Sequence, residues 1–179
     1  MATLTENFNY LQPTSFKLVI DRRNYPNLEF FCQNITHPGM ILNPVELGIP
    51  RLAGLPMPGE SLTFNELSTN IILDENLEGY SEMYNWILRL VNTNMGRSGR
   101  GSISTDTNTP TYADITLSIL SSHNNQTCQI QYLDCVPTSL GDIVFESTAD
   151  GQTFITFAAS FRFNYFKLKL VNTTTGAIT

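Results

Sequence analysis

The chain has 179 residues, 41% of them hydrophobic, with 16 acidic against 10 basic side chains and a formal net charge of −6. A single domain of this size buries about two-thirds of its unfolded surface, so it needs no metal or disulfide staple. The acidic balance argues against a protein that grips nucleic acid by neutralising phosphates; DNA nearby would be tolerated, not held.

Residues 1–12 read as an N-terminal arm, and residues 13–168 as one domain. Phe16, Leu18 and Ile20 alternate along Phe16-Lys17-Leu18-Val19-Ile20, which predicts a strand. Residues 21–27, with Pro26, predict a turn into a hairpin partner over residues 28–35. Residues 37–59 carry Pro38, Pro44, Pro50, Pro56 and Pro58 among Met40, Ile41, Leu42, Val45, Leu47, Ile49, Leu52, Leu55 and Met57. Proline removes ladder donors, so the segment is expected to be an apolar extended arm and not a central strand. Such an arm is costly to leave in water and should pack on its own domain or against a neighbouring subunit.

Strand character resumes over residues 62–73. Leu62 and Phe64 are out of phase with Leu67, Ile71 and Leu73, which predicts a bulge near Asn65 and Glu66. One helix is predicted over about residues 75–91. Asp74 is its expected N-cap, Leu77, Tyr80, Tyr84, Ile87 and Val91 form one apolar stripe, and Met83, Trp86 and Leu90 form an adjoining one. Residues 92–111, rich in Gly, Ser, Thr and Asn, predict a long loop of the kind that is usually functional. Its Arg97 and Arg100 could touch a phosphate or carboxylate, although a solvated loop accounts for them as well. Ile115, Leu117 and Ile119, followed by Cys128, Ile130 and Tyr132, predict an antiparallel hairpin. After a kink at Pro137, residues 143–146 and 153–166 predict another, turning at Asp150-Gly151, with residues 155–165 as the core strand. Residues 169–179 read as a C-terminal tail. The fold class expected is mainly β: an antiparallel sandwich or barrel with one flanking helix.

Residues with catalytic potential are sparse. The two histidines, His37 beside a proline and His123 in a polar turn, have no sequence neighbours that would complete a triad or zinc site. Cys32, Cys128 and Cys135 are odd in number, lack C-x-x-C spacing and read as free thiols. Gly96-Arg97-Ser98-Gly99-Arg100-Gly101 lacks the glycine order of a phosphate cradle. Asp74, Glu75 and Glu78 are explained by capping. No cofactor, metal or enzymatic activity is expected. No apolar run of about 18 residues and no secretory-type N-terminus is present, so a cytoplasmically made protein without a membrane partner is expected.

The order of these elements resembles the tail tube protein family of contractile-tailed bacteriophages over roughly residues 11–167. The motifs that carry the likeness begin with Phe16-Lys17-Leu18-Val19-Ile20 and Phe30-Phe31-Cys32. Leu62-Thr63-Phe64 through Ile72-Leu73-Asp74-Glu75 and the helical Asn85-Trp86-Ile87 follow, and then Pro137-Thr138-Ser139-Leu140-Gly141-Asp142-Ile143. Phe161-Arg162-Phe163-Asn164-Tyr165-Phe166, the most specific motif, completes the set. The resemblance implies a structural virion protein that assembles with itself into stacked hexameric rings. It also implies tail sheath and baseplate partners, and a lumen through which DNA passes without specific binding. Such a protein is assembled in the host cytoplasm and resides in the virion tail. The same fold would serve a baseplate tube initiator, a tail terminator or the tube of a contractile secretion system; a monomeric binding module is the remaining alternative. The expected interface residues are Met40, Ile41, Leu42, Val45, Leu47, Ile49, Leu52, Leu55 and Met57 of the arm, with Arg97 and Arg100 of the loop.

Overall fold

The structure, a computed structural model, describes residues 11–21, 23–28, 32–48, 55–95, 110–147 and 154–170, without the side chains of 46, 47, 55, 56 and 92–95. Its strands are β1 (Phe16–Ile20), β2 (Cys32–Thr36), β3 (Met40–Leu42), β4 (Val45–Leu47), β5 (Leu55–Met57), β6 (Leu62–Phe64), β7 (Leu67–Ile72), β8 (Ala113–Leu120), β9 (Gln126–Leu140), β10 (Thr156–Arg162) and β11 (Tyr165–Leu170). The helix α1 spans Glu78–Met95 between β7 and β8.

Two antiparallel layers form a β-sandwich that does not close into a barrel, and they share the long strand β9. One layer runs β1-β8-β9-β11, and the other runs β9-β10-β7-β2. The strand changes layers at Asp134, whose φ of 53° lies in the left-handed region. That residue shifts the side-chain phase. Ile130 and Tyr132 are buried before it and Cys135 after it, so both halves of β9 keep an apolar side toward the core. Pro137 continues β9 opposite Phe161, where β9 is the edge of the second layer among the described residues, so its missing N–H interrupts no ladder described there.

Alternation fills the interior from both layers: Leu18, Ile20, Ile115, Leu117, Ile130 and Tyr132 meet Leu67, Ile71, Phe157 and Phe161. Each such side chain contributes about 1.5–3 kcal/mol when fully buried. The helix adds Met83 and Trp86, both fully buried. Trp86 lies 5.8 Å from the Phe161 ring and donates its indole N–H to the Thr111 carbonyl at 2.7 Å.

Four expectations need correction. β1 and β2 are not a hairpin: β1 pairs β8 and β2 pairs β7, so the turn over residues 21–27 crosses between layers. Tyr25 and Leu28 of that crossing are buried in the core, which is why it carries apolar residues at all. Residues 143–146 form no strand; β10 instead pairs β7 and β9, and it turns through Phe163 and Asn164 into β11. The expected slip at Asn65 and Glu66 is a complete break between β6 and β7, which lie in different ladders. The helix also starts later than expected. Residues 74–77 make a turn with Leu77 at φ 58°, and the Asp74 carboxylate reaches forward to accept from the Glu78 and Gly79 amides at 2.8 and 3.2 Å. The second apolar stripe, with Met83 and Trp86, is the core face, while Leu77 and Tyr84 of the first are exposed.

Candidate subunit interface

Residues 39–48 and 55–65 leave the sandwich as a two-stranded ribbon. Next to the domain, β3 pairs β6 with Met40 opposite Phe64, Ile41 opposite Thr63 and Leu42 opposite Leu62. Further out, β4 pairs β5 with Val45 opposite Met57, Glu46 opposite Pro56 and Leu47 opposite Leu55. The arm expected from the prolines is therefore a hairpin. Every strand in it is an edge strand, so Pro56 can sit in the ladder without orphaning an inner partner.

Local chemistry joins the two ladders. Asn43 donates its amide N–H to the Ser61 carbonyl at 3.1 Å and its side-chain Nδ2 to Thr63 Oγ1 at 2.9 Å. Opposite, Gly59 passes so close that a Cβ there would lie 1.4 Å from the Asn43 carbonyl oxygen, which leaves room only for glycine. At the base, Asn65 N–H donates to the Gly39 carbonyl at 3.1 Å. Phe64 packs there against Phe163 and Phe166, with ring centroids 5.5 and 5.7 Å apart.

His37 belongs to the same base. Its Nδ1 lies 2.6 Å from the Tyr132 hydroxyl, and its ring stands edge-on to Phe166 at 5.0 Å. Burial holds the His37 imidazole below its ordinary pKa and pushes the Tyr132 phenol up. The pair is therefore a neutral imidazole against a neutral phenol, with the direction of the hydrogen bond set by the imidazole tautomer. The ribbon is anchored by an aromatic cluster whose one polar pair is closed on itself.

Beyond the base the ribbon presents apolar side chains to water on both faces. Met40 is 57% exposed, Ile41 51%, Leu42 48%, Val45 54% and Met57 43%. A two-stranded ribbon is at best marginally stable in water, and one with exposed apolar side chains gains stability by burying them. Five of the expected interface residues thus come together. Leu47 and Leu55 are paired on the backbone at the outer ladder. Ile49, Leu52, Arg97 and Arg100 lie outside the described residues.

Leu62, read from sequence as the start of a strand over residues 62–73, is 53% exposed and completes the inner ladder. Sequence reading also missed Val144, Phe145 and Phe154, exposed around the entry to β10. The apolar residues over 143–146 look like a strand, and only the pairing of β10 shows that they are left over. Among the described residues, no cluster of three His, Cys, Asp or Glu side chains could hold a metal ion, and no helix is long and apolar enough to cross a membrane.

No protein-family model and no curated protein matches the chain. Solved structures do. A chain of the PVC sheath-tube complex of an extracellular contractile injection system, in the extended state, superposes with a TM-score of 0.64 at 14% identity, over 92% of this chain and 94% of that one. A chain of the PVC sheath/tube terminator gives 0.63 at 15% identity, over 90% and 99%. A chain of the anti-feeding prophage tube terminating cap gives 0.64 at 14% identity, over 95% and 99%. The fold is shared across nearly the whole length of each.

Proposed function

We propose that the chain is a structural subunit of a contractile tail or injection device, of the tube class, that assembles with itself into stacked rings. The observation that carries this reading is the apolar ribbon of β3 to β6, which the chain's own domain leaves in water. On a fold shared with chains of a sheath-tube complex, that ribbon suits a clasp between copies. Sheet edges at β1, β2 and β11, each paired on one side only among the described residues, offer further sites for strand addition between subunits. Hexameric rings, sheath and baseplate partners, and a DNA channel in a phage virion are the finer form of the proposal. The formal charge of −6 is compatible with a lumen along which DNA slides.

A second reading makes the chain a terminating ring. It is favoured by the equally good superpositions on a tube terminator and a tube terminating cap. Sedimentation of the purified chain tests both together. Ring-sized or larger species that dissociate when Ile41 is replaced by lysine are expected; a monomer at every concentration would count against either form of assembly.

A further inference from the structure

Two of the chain's methionines, Met40 and Met57, stand exposed on the ribbon, one in each ladder. Met40 of β3 lies opposite Phe64, and Met57 of β5 lies opposite Val45. Met83 is fully buried in the core, while Met1 and the Met95 side chain lie outside the described residues. An unbranched, polarisable thioether suits an adaptable apolar contact. The same sulfur is also the group through which an apolar side chain becomes polar on oxidation.

The remaining sulfurs are thiols, and the fold protects them. Burial pushes the Cys32 thiol up to about 11, the Cys135 thiol up to about 12, and the Cys128 thiol upward as well. A thiol attacks a peroxide as its thiolate, so all three are held in their slow form near neutrality. A thioether needs no deprotonation, and its oxidation follows access. Among the described residues, access singles out the two sulfurs of the ribbon.

We propose that Met40 and Met57 are a redox-sensitive pair: a hydroperoxide oxidises them to sulfoxides in the free subunit, and the oxidised ribbon no longer joins another copy. The step is a two-electron oxygen transfer. A sulfur lone pair takes the terminal peroxide oxygen, and the S–O bond forms as the O–O bond breaks. The proton of the transferred oxygen passes to the other, which departs as water or an alcohol; sulfur is oxidised and the peroxide reduced. The product places a polar S–O group among Ile41, Leu42 and Val45, whose side chains offer it no donor. A copy already clasped covers its sulfurs, so the modification acts before assembly and spares what has been built. The proposal rests on the tube reading for what the ribbon joins. Which methionines oxidise is a property of the single chain.

The test treats the full chain with dilute hydrogen peroxide, maps sulfoxides by peptide mass spectrometry and follows association by sedimentation. Met40 and Met57 should oxidise about tenfold or more faster than Met83. The oxidised chain should need about tenfold or more higher concentration to form rings, because each contact then buries an unpaired polar group. Reduction by methionine sulfoxide reductases should restore assembly. The double variant Met40→Leu, Met57→Leu should form rings both before and after peroxide. If it associates poorly from the start, the double variant Met40→Gln, Met57→Gln, polar like the sulfoxide, should lack rings at an unchanged monomer thermal midpoint. Four results would overturn the proposal and leave the tube reading standing: equal oxidation of Met83, rings formed equally well by the oxidised chain, rings formed by the glutamine variant, or peroxide-induced loss of rings in the leucine variant. A fully reduced chain that stays monomeric at every concentration counts against the tube reading itself, and the assembly switch falls with it.

Discussion

Tyr25 lies stacked on Trp86, with ring centroids 4.4 Å apart and an interplanar angle of 17°. The pair fastens the crossing between β1 and β2 onto the helix. The Arg89 guanidinium continues the stack, lying over the Tyr25 ring at 5.6 Å and donating to its hydroxyl. Trp86→Ala should therefore cost about 3–5 kcal/mol, because it removes a fully buried ring and leaves a cavity. Trp86→Phe should cost clearly less. Urea unfolding of the two variants checks the order; equal midpoints for alanine and wild type would mean that the helix is not held this way.

Asp74 makes the start of α1 sensitive to acid. Partial burial works against its charge, but the amides of Glu78 and Gly79 outweigh it, so its carboxyl titrates below the ordinary value of 3.8. A lowered folded pKa means that the stabilisation is present above the ordinary value and is lost as pH falls through the folded one. Asp74→Ala should cost about 1 kcal/mol near neutrality, and the difference from wild type should vanish once the carboxylate is protonated. Thermal midpoints across an acid titration give both quantities.

His37 and Tyr132 give the ribbon's base its own pH dependence. With the imidazole held below its ordinary value of 6.5 by burial, the neutral ring is the bound form. Its contribution is present above 6.5 and fades as pH falls through the folded value. Proton NMR should show His37 titrating below the ordinary histidine value of 6.5. In His37→Gln, the loss of thermal stability between about pH 7.5 and 5 should shrink. An unshifted His37 would contradict the closed pair.

Much of the architecture was legible because it rests on period-two alternation: β1, β7, β8 and the inner residues of β10 bury the expected side chains. Partner choice was not legible. Strands near in sequence were read as hairpins, whereas β1 finds β8 and β2 finds β7, pairings that depend on long-range closure. Which of the two adjoining helix stripes faces the core was not legible from spacing alone, and the left-handed turn at Leu77 delays the helix. Of the expected interface residues, Met40, Ile41, Leu42, Val45 and Met57 do stand exposed on the ribbon, a placement legible from apolar residues interleaved with proline. Leu62 was not named with them, since the phase slip at Asn65 and Glu66 was read as a bulge within one strand and not as the break that puts β6 and β7 in different ladders.

Ribbon substitutions should separate assembly from stability. Met40, Ile41 and Leu42 already stand in water in the single chain, so Ile41→Lys should move the thermal midpoint of the monomer little, within about 0.5 kcal/mol. The same change should abolish association, because a buried unpaired ammonium in an apolar contact is strongly unfavourable. A large loss of monomer stability would show that the ribbon packs on its own domain instead.

The central claim is self-assembly into rings and tubes, and negative-stain electron microscopy of the purified chain over a concentration series tests it most directly. The account predicts hollow rings that stack into tubes as concentration rises, and their disappearance with Ile41→Lys. Dispersed single particles at every concentration, identical in wild type and variant, would contradict it.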